Sequence, residues 1–207
     1  MKFFSLPNQL TFLRILLTPV FLVLLFSPYP AMRQWSLVVF ILAAITDWYD
    51  GWVARRWGYV TRWGTFFDPF ADKVVTSAAL IAYIYLGLVE GWMVWIIVIR
   101  DIIITLLRSY TEYKGKFVGT SKLAKVKTFA QFVIIYYILI LYVAKNTPSL
   151  QENFGELIYA LLNYSLVYSM MIIITVLTLW TGISYFIENW KTIKELYDPT
   201  DKTTQPD

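Results

Sequence analysis

Long apolar stretches separated by short polar connections dominate the chain. Six of them approach the ~20 mostly apolar residues that a helix needs to cross a bilayer core. They cover residues 10–26, about 35–54, about 69–88, about 92–110, about 126–143 and about 166–186. Ser27-Pro28-Tyr29-Pro30 ends the first stretch with a turn signal. No small-residue cleavage site follows that stretch, so it is expected to remain as a membrane helix. For residues 155–164 the pattern leaves two readings open, an extension of the sixth helix or a surface segment. The chain shows no sequence repeat, low-complexity tract or soluble domain.

Composition strengthens this reading. Hydrophobic residues make up 58% and charged residues 15% of the 207 positions, against about 45–50% and about 25% in soluble domains. The expected fold is an all-α integral membrane protein of six transmembrane helices. It forms one membrane domain, residues 1–190, with a polar cytoplasmic tail, residues 191–207. Basic residues set the orientation. Arg55, Arg56 and Arg62 fall in the 2–3 connection; Lys114, Lys116, Lys122, Lys125 and Lys127 fall in the 4–5 connection; Lys191, Lys194 and Lys202 fall in the tail. The other side holds Arg33 and Lys145, with Glu90, Glu152 and Glu156 nearby. Both termini are therefore expected in the cytoplasm, with the chain a multi-pass protein of the inner (cytoplasmic) cell membrane. Trp35, Trp92, Trp95 and Trp190 sit near helix ends, where interfacial aromatics belong.

Cysteine and histidine are both absent. Thiolate and imidazole chemistry is thereby excluded, and acid–base or metal work falls to carboxylates. Oxygen donors favour Mg²⁺, Mn²⁺ or Ca²⁺ over zinc. The second and third apolar stretches nevertheless contain Asp47, Asp50, Asp68 and Asp72. Each carboxylate in a spanning helix costs about 2.5–3.5 kcal/mol on insertion scales. Asp47 and Asp50 are i,i+3 and Asp68 and Asp72 are i,i+4, so each pair shares a helix face. A short connection containing Gly58 makes the two helices antiparallel neighbours, and the pairs can face each other near the cytoplasmic side. Four converging carboxylates repel unless cations or protons intervene. A polar metal site with divalent ions fits these donors best.

Simpler readings exist. Asp68 before Pro69 has the form of an N-cap with proline at N1. The aspartates could also line a proton or cation path in a transporter, or belong to a purely structural scaffold. Gly51, Ala54 and Gly64 are small enough to admit a ligand to the backbone, although glycine in a membrane helix more often serves packing. Arg55 adds a bidentate phosphate donor beside the carboxylates. Metal, small residues and arginine together describe a pyrophosphate site.

The string Asp47-x2-Asp50-Gly51-x2-Ala54-Arg55-x8-Gly64-x3-Asp68-x3-Asp72 resembles the signature of the CDP-alcohol phosphatidyltransferase family at every fixed position. The resemblance implies transfer of a phosphatidyl group from a CDP-linked lipid to an alcohol, with release of CMP. It implies that Asp47, Asp50 and Asp68 chiefly hold the metal, two ions of Mg²⁺ or Mn²⁺. It implies that Asp72 is the general base and touches a metal. Gly51, Ala54, Arg55 and Gly64 are then CDP-binding, and a homodimer is implied as well. A raised carboxylate pKa among like charges suits a base.

Other motifs resemble one branch of that family, the bacterial phosphatidylglycerophosphate synthases. These are Pro7-Asn8-Gln9-Leu10-Thr11 with Arg14, the run Phe67-Asp68-Pro69-Phe70-Ala71-Asp72-Lys73, and Lys125-Val126-Lys127-Thr128 with Gln131. That branch usually has Gly at the position of Ala124 and Glu more often than Asp at 101. The implied donor is CDP-diacylglycerol and the implied acceptor glycerol 3-phosphate. Phosphatidylglycerol, inositol phosphate or serine are alternative acceptors. Independently of resemblance, Arg100 and Arg108 lie eight apart on the fourth helix, roughly on one face. With Lys125 and Lys127 they form a candidate acceptor phosphate-binding group. Positive-inside anchoring explains Arg108 and the lysines without a ligand, and Arg100 could pair with Asp101. Asn8 and Thr11 could reach the nucleotide or simply cap the first helix. Membrane lipids and these small molecules are the expected partners; no nucleic acid is expected.

Overall fold

The structure is a computed structural model that describes residues 6–57, 62–115, 119 and 121–197, without the side chains of residues 6–9, 47, 48, 50–57, 62–69, 191 and 195–197. The described residues form seven helices: α1 (Leu6–Leu25), α2 (Pro30–Trp57), α3 (Arg62–Tyr85), α4 (Gly91–Tyr113), α5 (Lys122–Lys145), α6 (Pro148–Leu161) and α7 (Tyr164–Tyr197). α5 and residues 164–190 of α7 are long and apolar enough to cross a membrane. Shorter apolar segments fill residues 10–25 of α1 and 30–46 of α2.

Helical periodicity explains the packing. On α3, Ala71, Val75, Ala79 and Tyr83 are buried at four-residue intervals, a ridge that neighbouring helices grip. Ile97 on α4 and Ile135, Ile138 and Leu139 on α5 are wholly buried with them. The Tyr83 hydroxyl donates to the Ile135 carbonyl at 2.8 Å and ties α3 to α5 without leaving a buried polar group unpaired. α1 packs on both α2 and α3; α7 packs on α4 and α5. The inner face of α7 carries buried Thr175, Thr178 and Thr181, each donating back to the carbonyl four residues earlier. Its outer face is a stripe of exposed Ile173, Val176, Trp180, Ile183 and Ile187. A contiguous apolar exterior around a partly polar interior is the arrangement a lipid solvent favours.

The structure settles several points that the pattern left open. Residues 148–161 form the separate helix α6, kinked at Phe154, and Leu162 and Asn163 break it from α7. Of α6, only Ile158 is buried. α7 runs on to Tyr197, so helix continues past the expected start of the tail at residue 191. α3 begins at Arg62, well before Asp68. Asp68 therefore stands inside a helix rather than capping one, and it shares that helix with Asp72. The α3–α4 turn needs its glycine: Gly87 has φ of 68°, where a β-carbon is strained.

Candidate functional site

α4 carries a polar stripe along an otherwise apolar helix. Asp101, Thr105, Arg108 and Glu112 recur at intervals of four, three and four and so share a face. That face, with Asp72 and Lys73 of α3, Ala124, Lys125 and Thr128 of α5 and Tyr185 of α7, walls a cavity of about 700 Å³. The volume lies within the range of small-molecule sites, about 300–1,000 Å³.

Asp101 is the centre of the cavity floor. It is 3% exposed, and its Oδ1 accepts from the Lys127 Nζ at 2.5 Å and from an Arg100 nitrogen at 3.0 Å. Arg100 also donates to the Thr181 hydroxyl of α7 at 2.9 Å. Gly182 makes room for that contact, because a β-carbon there would meet the Arg100 Cγ at 3.3 Å. Among the described residues no group donates a hydrogen bond to the Asp101 Oδ2, which instead faces the Lys73 Nζ at 3.8 Å. The same Lys73 Nζ lies 3.9 Å from an oxygen of Asp72. One lysine thus stands almost midway between two carboxylates. A buried charge is costly unless paired, and this cluster joins α3, α4, α5 and α7 through mutual pairing.

Toward the C-terminal end of α4 the cavity changes character. Arg108 is half exposed and pairs with Glu112 at 2.9 Å. Lys125 is exposed at the start of α5. That helix is capped by Ser121, whose hydroxyl accepts from the Ala124 N–H at 3.2 Å. A helix N-terminus carries partial positive charge, so the first turn of α5 reinforces Lys125 at this end.

Behind Asp72 lies a second, smaller cavity of about 130 Å³, lined by Arg14, Phe40, Thr76 and Tyr136 among others. Asp72 lines both spaces. Arg14 is 1% exposed, a buried cation on α1.

The structure thus brings together Asp72, Arg100, Arg108 and Lys125 from the expected set. Lys127 departs from expectation. It is wholly buried, its ammonium is committed to Asp101, and it serves the floor from behind rather than meeting a phosphate. Arg100 lines the cavity but turns its two terminal nitrogens to Asp101 and Thr181, while its buried Nε makes no hydrogen bond among the described residues. Thr11 is buried on α1. The side chains of Asn8, Asp47, Asp50, Gly51, Ala54, Arg55, Gly64 and Asp68 lie outside the described residues. Sequence reasoning named Lys73 within a motif but gave it no role, and passed over Ser109, Glu112 and Tyr185; all four also line the cavity. The four-residue rhythm on α4 could have revealed Glu112. Nothing in the sequence marks Tyr185.

Comparison with known proteins bears on the same residues. A model of the CDP-alcohol phosphatidyltransferase family matches residues 4–181. The CDP-diacylglycerol–glycerol-3-phosphate 3-phosphatidyltransferase of Bacillus subtilis (strain 168) is 32% identical over 203 residues, covering 92% of this chain and 98% of its own. The enzymes of the same name from Salmonella typhimurium (strain LT2) and Escherichia coli (strain K12) are 33% and 31% identical over 188 residues, covering 88% of this chain and 93% of theirs. The match covers Asp72, the α4 stripe and the cavity-lining residues of α5, though not Tyr185 of α7, and on that extent the chain belongs to the CDP-alcohol phosphatidyltransferase family.

Proposed function

We propose that the protein transfers the phosphatidyl group of CDP-diacylglycerol to glycerol 3-phosphate, giving phosphatidylglycerophosphate and CMP. The observation that carries this reading is the 700 Å³ cavity, which sets the Asp72 carboxylate at one part and Arg108 and Lys125 at another. A small acceptor with a hydroxyl at one end and a phosphate at the other matches that division. Three relatives bear the name of this reaction.

Asp72 is the base. It takes the proton of the acceptor hydroxyl as that oxygen attacks the lipid-side phosphorus. The bond from that phosphorus to the bridging oxygen breaks, and CMP leaves with the electron pair. Direct displacement needs no covalent enzyme intermediate. Arg108 and Lys125 hold the acceptor phosphate by charge-assisted hydrogen bonds. Gly51, Ala54, Arg55 and Gly64, with Asn8 and Thr11, remain the proposed CDP-binding residues.

The donor set suits hard divalent ions. Asp47 and Asp50 stand in α2 and Asp68 and Asp72 in α3, all carboxylates, in a chain with no histidine or cysteine. We assign these four residues to two ions, Mg²⁺ or Mn²⁺. When bound, the ions would neutralise the diphosphate and the developing charge on CMP. The same proposal places α1 to α5 and α7 across the inner membrane with both termini in the cytoplasm, and two chains in a homodimer.

The test is purified protein with labelled CDP-diacylglycerol and a panel of alcohols, with and without Mg²⁺ or Mn²⁺. Release of CMP that depends on glycerol 3-phosphate and on the metal supports the reading. Release with phosphatidylglycerol, inositol phosphate or serine instead reassigns the acceptor. Cation flux in liposomes with no CMP release favours a transporter.

A further inference from the structure

α6 lines neither cavity, and at 14 residues it falls short of the ~20 that cross a bilayer core. Asn146-Thr147 joins it to α5 and Leu162-Asn163 joins it to α7. Connections this short reach at most about 10 Å. α5 and residues 164–190 of α7 are long and apolar enough to span a membrane. Both ends of α6 are therefore tethered at the level where α5 leaves the bilayer and α7 enters it.

The sequence of α6 divides by face. Leu150, Phe154, Leu157 and Leu161 follow i, i+4, i+7 and i+11 spacing and share one side of a helix. Glu152 and Glu156, at i,i+4, lie on the opposite side. Two contacts seat the helix on α5. Ile158 is buried, and the Leu161 carbonyl accepts from the Tyr137 hydroxyl at 2.6 Å. Beside that seat Leu150, Phe154 and Leu157 stay 41%, 56% and 56% exposed, and Glu152 and Glu156 are exposed as well. Lys145, at the end of α5, holds its ammonium 5.2 Å from the centre of the Tyr159 ring. Amphipathic aromatics and long cationic side chains gather at the boundary between lipid and water.

We infer that α6 is an interfacial helix: Leu150, Phe154 and Leu157 rest in the lipid of the leaflet where α5 ends and α7 begins, and Glu152 and Glu156 face the water above it. The tethers hold the apolar face at the membrane surface, where lipid is the partner always within reach. α6 contains no lysine or arginine. Basic surface helices draw on anionic headgroups; α6 is held by apolar burial, independent of headgroup charge.

The inference rests on α5 and α7 crossing the membrane, and the test separates the two. The chain has no cysteine, so one nitroxide label at a time is attached to Leu150→Cys, Phe154→Cys, Leu157→Cys, Glu152→Cys, Glu156→Cys or Val176→Cys in the full chain. All these positions are exposed, so no core contact is lost. The labelled proteins are reconstituted in phosphatidylcholine vesicles, with and without phosphatidylglycerol. Collision with oxygen, which concentrates in lipid, and with a water-soluble nickel chelate gives the depth of each label. Labels at Leu150, Phe154 and Leu157 should lie about 5–10 Å into the headgroup–acyl boundary, equally in both kinds of vesicle. Labels at Glu152 and Glu156 should collide chiefly with nickel. Val176 lies twelve residues beyond Tyr164, about 18 Å along α7, and its label should be the deepest. A Val176 label open to nickel refutes the spanning helices, and the inference falls with them. A deep Val176 label with nickel-exposed labels at Phe154 and Leu157 overturns the inference alone. So does shielding of those two labels from both reagents, the mark of a protein partner or a second copy. Insertion only when phosphatidylglycerol is present overturns it too, because headgroup charge is then the holding force.

Discussion

The two halves of the bundle solve polarity in opposite ways. In the half that contains the α4 C-terminus and the start of α5, charge goes inside. Lys73, Arg100, Asp101 and Lys127 form a cluster among four helices, and Arg14 is buried near Asp72. In the half that contains the start of α4 and the end of α5, polar contacts stay at the rim. Arg33 of α2 donates to Asn146 and to the Ser27 carbonyl, and Gln34 donates to Thr147 at 3.1 Å. Tyr164 of α7 donates to Glu90 at 2.8 Å. These rim bonds clasp neighbouring connections and leave the core between them apolar. A protein that needed only to hold its helices together could use the second solution throughout. Burying cations and carboxylates is expensive, and the half that bears this cost is the half with the cavity. The contrast separates residues kept for chemistry from residues kept for assembly.

Four substitutions test the contrast, from the largest expected effect down. Asp72→Asn removes the base and should lower kcat by about 10³-fold, within the span typical of acid–base groups, with the protein still eluting as folded material. Lys127→Met removes the nearest of the three cations around the buried Asp101 and should destabilise the fold by about 3 kcal/mol, read by thermal unfolding in detergent. Arg108→Gln should raise KM for glycerol 3-phosphate by about 10- to 30-fold, the loss of one charge-assisted bond, without changing KM for CDP-diacylglycerol. Gln34→Ala at the opposite rim should cost about 1 kcal/mol, or about 2–4 °C in melting temperature, and leave kcat and both KM values as they are. Loss of activity from Gln34→Ala, or full activity in Asp72→Asn, would erase the distinction between the halves.

Much of this was legible in the chain. Apolar runs marked the six long helices, and the absence of histidine and cysteine turned attention to the aspartates. Boundaries were less legible for a physical reason. Helix ends here extend into polar sequence, as α3 does back to Arg62 and α7 does on to Tyr197, and hydropathy does not register such turns. Asp68-Pro69 imitates a helix start because proline tolerates N1, yet the helix was already under way. The basic residues of α5 show a different limit. Lys125 and Lys127 look equivalent in sequence, but two residues along a helix is a rotation of about 200°, which sends one to the cavity mouth and the other into the core. Asp101 stood out as a substitution relative to similar enzymes and as a possible partner of Arg100, a pairing the structure contains. Its role as the hub of three cations depends on α3 and α5 arriving beside α4, which no local pattern encodes.

The central claim is that an Asp72-centred carboxylate site drives phosphatidyl transfer to a phosphorylated alcohol. The most direct measurement is CMP release by the purified protein from labelled CDP-diacylglycerol, with glycerol 3-phosphate and with Mg²⁺ or Mn²⁺ each supplied or withheld. The account predicts release only when acceptor and divalent ion are both present, abolished by chelation and restored by adding the ion back. Equal release with the ion chelated away, or none with both present, would contradict it.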